Sequence, residues 1–237
     1  EESFKKAILL KPDYAEAYYN LGITYKELGK LNEAEECYKH AILLKPDYAE
    51  AYSNLGITRH ELGRLNEAEE SFRKAISLKP DYAEVHSNLG ATLQELRRLT
   101  ESEESFKKAI LLKPDYAETY YNLGITYKEL GKLNKAEESF KKAILLKPDY
   151  AEAYYNLGIT YKELGKLNEA EECYKHAILL KPDYAEAYSN LGIIRHELGR
   201  INEAEESFRK AIEIKANYSD AHNNRNLCLN YSSLWSP

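Results

Sequence analysis

Hydrophobic residues recur along this chain at helical spacing, in short stretches separated by glycine or proline. Within residues 15–48 a first apolar set lies at Tyr18, Leu21, Tyr25 and Leu28, at steps of three and four residues. A second set follows at Leu31, Ala34, Tyr38, Ala41, Ile42 and Leu44. Apolar residues at such steps share one face of an α-helix. The pattern therefore predicts two amphipathic helices in this stretch.

Glycine and proline mark where these two helices end. Gly29 lies between the apolar sets and suits the left-handed conformation that closes many helices. Pro46 follows the second set, and proline both lacks an amide hydrogen and disfavours helix in the residue before it. The small residue Gly22 is expected to let the helices approach closely, with Tyr38 and Tyr18 filling the space beside it.

The same pattern repeats every 34 residues. Its units are 15–48, 49–82, 83–116, 117–150, 151–184 and 185–218. Residues 1–14 match the second half of an earlier unit, and 219–237 are expected to form a capping helix and a tail. One helix pair cannot bury its apolar face alone, so neighbouring units must stack. The prediction is an all-α fold, a right-handed superhelical solenoid of antiparallel helix pairs whose first helices line the inside.

A longer period is superimposed on the short one. Residues 1–76 match 137–212 with only two changes, Thr58 to Ile194 and Leu65 to Ile201. Any ligand contact in the first block is therefore expected to recur in the second.

These motifs carry a family resemblance. The 34-residue period, with Asn20, Leu21 and Gly22 followed by Ala34 and Pro46, resembles the tetratricopeptide repeat. The resemblance covers nearly the whole chain. It implies a protein–protein interaction scaffold whose inner groove binds an extended peptide or protein segment. The unit 83–116 departs most from the pattern, because Arg97 stands where other units have glycine, so the weakest local packing is expected there.

One polar residue recurs on the predicted groove face of every first helix. A carboxamide offers two donor hydrogens and an acceptor oxygen, so it can hold a peptide group without reading its side chain. The candidate peptide-binding residues are Asn20, Asn54, Asn88, Asn122, Asn156 and Asn190, with Tyr19, Tyr121 and Tyr155 beside them. Two structural alternatives stay open. The asparagines could brace the junctions between helices, and the tyrosines could pack on the next unit.

The asparagine series also resembles the repeat arrays of O-linked N-acetylglucosamine transferases, in which it holds extended acceptor polypeptides. The segment from Ala221 to Pro237 is similar to the junction between such an array and its catalytic domain. Three hypotheses follow. The chain is a peptide-binding module, the substrate-recruiting part of a glycosyltransferase, or a structural or engineered array without a ligand.

Composition and motifs argue against several other classes of function. Charged residues make up 30% of the 237 residues and the formal net charge is −6, whereas nucleic-acid binders usually carry a basic excess. No metal-binding or nucleotide-binding motif occurs, so neither a catalytic site nor a cofactor is expected. The sequence has no long apolar segment, so no membrane span is expected, and no signal peptide is visible. Cys37, Cys173 and Cys228 are expected to be reduced thiols in a cytoplasmic setting. The absence of methionine suggests a fragment of a longer protein.

Two expectations concern surfaces. The glutamates of the second helices, such as Glu35, Glu36, Glu67, Glu69 and Glu70, are expected on solvated helix faces. Residues 1–12 form a second helix without its first, so Phe4, Ala7, Ile8 and Leu10 are expected to expose an apolar face. That face predicts end-to-end self-association at high concentration.

Overall fold

The computed structural model describes the backbone of residues 1–234 and the side chains of residues 1–229. Within that part the chain is all α-helical, as predicted, with fourteen helices. Two compact units divide it, Glu1–Asp115 and Tyr116–Pro237. The first unit contains α1 (Glu2–Leu10), α2 (Ala15–Glu27), α3 (Leu31–Leu44), α4 (Ala49–Glu61), α5 (Leu65–Leu78), α6 (Ala83–Glu95) and α7 (Leu99–Leu112).

The second unit has the same organisation. It contains α8 (Ala117–Glu129), α9 (Leu133–Leu146), α10 (Ala151–Glu163), α11 (Leu167–Leu180), α12 (Ala185–Glu197), α13 (Ile201–Ile214) and α14 (Ser219–Leu234). In both units each 13-residue helix packs on the 14-residue helix that follows it, and within a unit that second helix packs on the first helix of the next pair. The C-terminal sequence motif beyond Leu229 lies outside the described side chains.

Each helix pair is held by a close contact between a glycine and an aromatic ring. A Cβ atom built on Gly56 would lie 2.6 Å from Cε1 of Phe72, closer than two carbon atoms can approach. Gly22 stands in the same relation to Tyr38, at 2.7 Å. The ring of Tyr38 is fully buried. Tyr18, which was expected to help fill this space, instead stacks on His40 with ring centroids 5.3 Å apart.

The first helix of each pair ends in a left-handed residue. Gly29 has φ 71° and the amide of Lys30 donates to the carbonyl of Tyr25 at 2.9 Å, which closes the helix end. Arg97 takes the same role with φ 61°, a conformation that costs a non-glycine residue roughly 1 kcal/mol. The rest of that repeat is well packed, because Val85, Leu93 and Phe106 are fully buried.

The prediction that all these glutamates are solvated is wrong for one position in each repeat. Glu35 is only 3% exposed, because it points into the junction between α3 and α4. There its carboxylate accepts hydrogen bonds from Arg59 Nε at 3.0 Å and from Arg64 Nη1 at 2.7 Å. Arg59 also donates to Ser71 Oγ at 2.9 Å. Glu69 forms a similar inter-repeat pair with Arg98 at 2.6 Å.

The environment of Glu35 sets its ionisation. Burial raises the pKa of this carboxyl, but hydrogen bonds from Arg64, Arg59 and Lys39 outweigh burial and hold the pKa at about 2, against an ordinary value of 4.5. A carboxyl whose pKa is lower in the folded state contributes stability above its unfolded pKa and loses that contribution as the pH falls through its folded pKa.

We therefore predict that Glu35→Gln flattens part of the acid dependence of folding. The wild-type free energy of unfolding should fall between about pH 5 and pH 2, and the variant should lose less over that range while being less stable at pH 7. Urea unfolding at a series of pH values measures both effects. Glu36→Gln is the matched control, because Glu36 is exposed. Parallel pH curves for wild type and Glu35→Gln would contradict the prediction.

Candidate functional site

The asparagine series lies on the first helices, and three of its members lie beside a cleft at the junction with the preceding pair. All six carboxamides are half-buried. In the first unit one such cleft is lined by Ile23, Lys26, Glu27, Tyr38, Asn54 and Glu61. The next is lined by Ile57, His60, Phe72, Asn88 and Ala91. In both, a hydrophobic residue of one first helix and the asparagine of the next flank the buried aromatic ring of the second helix.

The second unit contains the same kind of cleft. Its walls are Ile193, His196, Glu197, Asn224 and Leu227, and Phe208 is the aromatic residue. Asn224 is the residue that continues the asparagine series into α14. The structure therefore places Asn54, Asn88 and Asn224 in equivalent positions beside a surface that a ligand can reach.

Three of the asparagines bond to tyrosine in the preceding repeat. The Nδ2 atom of Asn54 donates to the hydroxyl of Tyr19 at 2.9 Å. Asn156 and Asn190 do the same to Tyr121 and Tyr155, each at 3.1 Å. These bonds cross from one helix pair to the next. For these three residues the structure therefore shows the bracing contact that the sequence left open as an alternative.

The candidate tyrosines are packed as well as hydrogen-bonded. The ring of Tyr19 lies 4.9 Å from the ring of Tyr48 and 6.0 Å from that of Tyr38, between centroids. Tyr121 and Tyr155 have the same surroundings in the second unit. Burial raises the pKa of all three hydroxyls above the ordinary tyrosine value. These hydroxyls remain protonated at neutral pH and offer the asparagine amides an uncharged acceptor.

Weak ion pairs border the clefts. Lys26 Nζ lies 3.4 Å from Glu61 Oε1, and His60 Nε2 lies 3.0 Å from Glu95 Oε1. The Nε2 atom of His60 is shielded from solvent, and its contact with Glu95 lacks the alignment of a hydrogen bond. The Lys26–Glu61 pair is partly exposed, and ion pairs of this kind contribute little to stability.

Other chemistry has little support in the described residues. They contain no cluster of three potential metal ligands, and none of their helices combines the length and apolarity needed to span a bilayer. Cys37, Cys173 and Cys228 are free, buried thiols. Burial raises the pKa of Cys37 to about 11, so its thiol is protonated and unreactive at neutral pH.

Comparison with known families matches a profile described as tetratricopeptide repeat over residues 13–81, 81–144 and 149–217, and a profile described as TPR repeat over 126–165. The chain belongs to the tetratricopeptide repeat family. TPR units typically act as scaffolds for protein–protein interaction. Comparison with curated proteins gives no match.

Several solved TPR structures are similar. MamA is 30% identical, with 70% of this chain and 96% of MamA aligned and a TM-score of 0.66. PilW, described as a type IV pilus biogenesis factor, is 25% identical over 88% of this chain and 97% of its own, with a TM-score of 0.78. YrrB, described as a TPR protein with an unusual peptide-binding site, shares the fold at 22% identity, with 81% and 99% aligned and a TM-score of 0.70.

We predict that the hydrogen bond between Tyr19 and Asn54 contributes to the free energy of unfolding. Tyr19→Phe and Asn54→Ala should each lower the free energy of unfolding by about 1 kcal/mol, the net value of one hydrogen bond. Because they remove the same bond, the double variant should cost clearly less than the sum of the two. Urea unfolding measures all three. Asn20→Ala is the control, since no tyrosine of a preceding repeat faces it. Additive effects of Tyr19→Phe and Asn54→Ala would show that the bond is not formed.

Proposed function

We propose that this chain binds an extended peptide or protein segment along the asparagine-bearing faces of its first helices. The observation that supports this most directly is the recurrence of one half-buried carboxamide beside each accessible cleft. A carboxamide can donate to a ligand carbonyl and accept from a ligand amide, so a series of them suits a ligand in extended conformation. The peptide-binding description of YrrB is consistent with this use of the fold.

The expected affinity follows from the number of bonds. Each hydrogen bond contributes about 1 kcal/mol net, and several bonds must also offset the ordering of the ligand. Binding in the micromolar range, at about −8 kcal/mol, is therefore expected for a single segment. Exposed glutamates such as Glu16 and Glu27 favour segments that carry some positive charge.

We predict that a triple variant, Asn88→Ala, Asn122→Ala and Asn156→Ala, binds selected peptides at least tenfold more weakly. Twelve-residue random peptides displayed on phage are selected on the wild-type chain, and one selected peptide is then labelled and measured by fluorescence anisotropy. The matched control replaces Glu36, Glu104 and Glu172, all exposed on second helices, by alanine and should leave the affinity unchanged. A failure to select any peptide, or equal affinities for wild type and the triple variant, would refute the proposal.

A narrower form of the peptide-binding proposal is that the repeats recruit acceptor polypeptides to a glycosyltransferase domain of a longer protein. It rests on the same asparagine series and on the C-terminal sequence motif. None of the relatives named above is described as a glycosyltransferase. The coding sequence beyond Pro237 tests it, because only a sugar-nucleotide-binding domain there would support recruitment for glycosyl transfer.

We also propose that the N-terminal end associates with a second copy of the chain. Residues 1–10 are identical to 137–146. In α9 this sequence buries Phe140 and Ala143 completely, whereas α1 has no buried residue. Leu10 is 86% exposed, while Phe4, Ala7 and Ile8 are half-buried and not as open as the sequence suggested.

We predict that the average molar mass of the protein in solution rises with protein concentration. Light scattering from micromolar to millimolar concentration should show dimers, and Leu10→Lys should reduce them by removing apolar surface from α1. Leu43→Lys is the control, because Leu43 is 77% exposed but lies on α3, away from that end. A constant monomer mass up to the millimolar range rules out the association.

A further inference from the structure

Five asparagines of the series fall into two different settings. In what we term the closed rungs, Asn54, Asn156 and Asn190, the carboxamide bonds to a tyrosine of the preceding repeat. A lysine accompanies that tyrosine seven residues further along the same helix. In one closed rung this lysine also binds the asparagine, since Lys128 Nζ donates to Asn156 Oδ1 at 3.2 Å. The polar atoms of a closed rung are thus partly satisfied within the chain.

The open rungs, Asn88 and Asn224, lack both partners. Ser53 stands where Tyr19 stands in the preceding repeat, and His60 stands in place of Lys26. The second unit repeats both replacements, with Ser189 and His196. Ser53 and Ser189 are short and almost fully buried, at 5% and 2% exposure. No described side chain of the first unit takes the place beside Asn88 that the Tyr19 hydroxyl takes beside Asn54.

A small pocket lies at each open rung. The pocket at Asn88 has a volume of about 80 Å³ and is lined by Ile57, His60, Phe72 and Ala91 as well as the asparagine. Its copy at Asn224 has a volume of about 110 Å³. The cleft at the closed rung of Asn54 is larger, at about 350 Å³, but three charged side chains, Lys26, Glu27 and Glu61, line it. The amide of Asn54 is also engaged by Tyr19, so the two settings differ in chemistry and not in available space.

Size and chemistry restrict what can enter an open rung. A pocket needs roughly 10–15 Å³ to hold one water molecule, so about 80 Å³ accommodates a small side chain of a few heavy atoms. The asparagine amide requires an acceptor oxygen, and the walls formed by Ile57 and Phe72 favour an apolar group beside it. Glu95, 3.0 Å from His60, disfavours a ligand carboxylate.

We propose that the open rungs, and not the closed ones, are the ligand-binding positions, and that each takes the hydroxyl side chain of a threonine or serine from an extended segment. The ligand hydroxyl accepts the hydrogen bond from asparagine that the tyrosine hydroxyl accepts in a closed rung, and the threonine methyl group packs on the isoleucine and phenylalanine. This proposal rests on the peptide-binding function proposed above. Each compact unit contains one such pocket.

Histidine resonances provide a direct test. The chain has six histidines, and His60 and His196 line the open rungs, whereas His40 and His176 stack on Tyr18 and Tyr154 elsewhere. The probe is a capped Gly-Ala-Thr-Ala-Gly peptide, titrated into the full chain and followed by NMR of the imidazole Cε1 protons. The His60 and His196 signals should shift and those of His40 and His176 should not. The valine and aspartate versions of the peptide should bind at least fivefold more weakly.

Two variants exchange the rung types. Ser53→Tyr introduces the residue that three other repeats already hold at this position, so it should fold, engage the amide of Asn88 as Tyr19 engages Asn54, and abolish the His60 shift. The His196 shift should remain as an internal control. The pair Tyr19→Ser and Lys26→His should convert the closed rung of Asn54 into an open one, and the new histidine signal should then respond to the threonine peptide.

The outcomes separate this proposal from the general one. Equal binding of the valine peptide would overturn the hydroxyl assignment. A His60 shift that survives Ser53→Tyr, or no shift with the threonine peptide at all, would overturn the assignment of the open rungs. The phage-selected peptides test groove binding independently. If they bind while the threonine probe fails, only this inference is lost, and if nothing binds, the proposed function is lost as well.

Discussion

Every helix pair depends on a glycine of its first helix lying against an aromatic ring of its second. At Gly56 and Phe72 the approach leaves no room for even a methyl group. The contact fixes the distance between the two helices, and that distance decides which side chains face the neighbouring pair. Because the contact recurs in all six repeats, the pairs are built alike, and the junctions within each unit differ through the residues placed in them.

Those junctions show how the chain tolerates a polar group in its interior. Glu35 is buried between two helix pairs and would be costly there alone, but arginine donors compensate for its desolvation. Arg59 occupies the position of Tyr25 in the preceding repeat, and Ser71 supplies an acceptor for it. A substitution that looks like a departure from the repeat pattern is thus one part of a matched set, which the second unit reproduces with Arg195, Glu171 and Ser207.

On the asparagine-bearing faces of the first helices, residues are again exchanged in pairs. Where a repeat has tyrosine and lysine, the next asparagine is engaged in bracing the junction. Where it has serine and histidine, the asparagine borders a small pocket with an aromatic wall. One backbone arrangement therefore supports two settings for the same residue type, bonded to the preceding repeat at some positions and bordering a pocket at others.

The sequence by itself determined the helices, their ends and their stacking, because the apolar period, glycine and proline act locally and recur in six copies. It also located the asparagines on one helix face. Only the tertiary structure decided which asparagines are tied to tyrosine, since Tyr19 and Asn54 are 35 residues apart and meet only when two pairs pack. The burial of Glu35 was missed for the same reason. Helical periodicity places it near the solvent face, and its arginine partners lie 24 and 29 residues away.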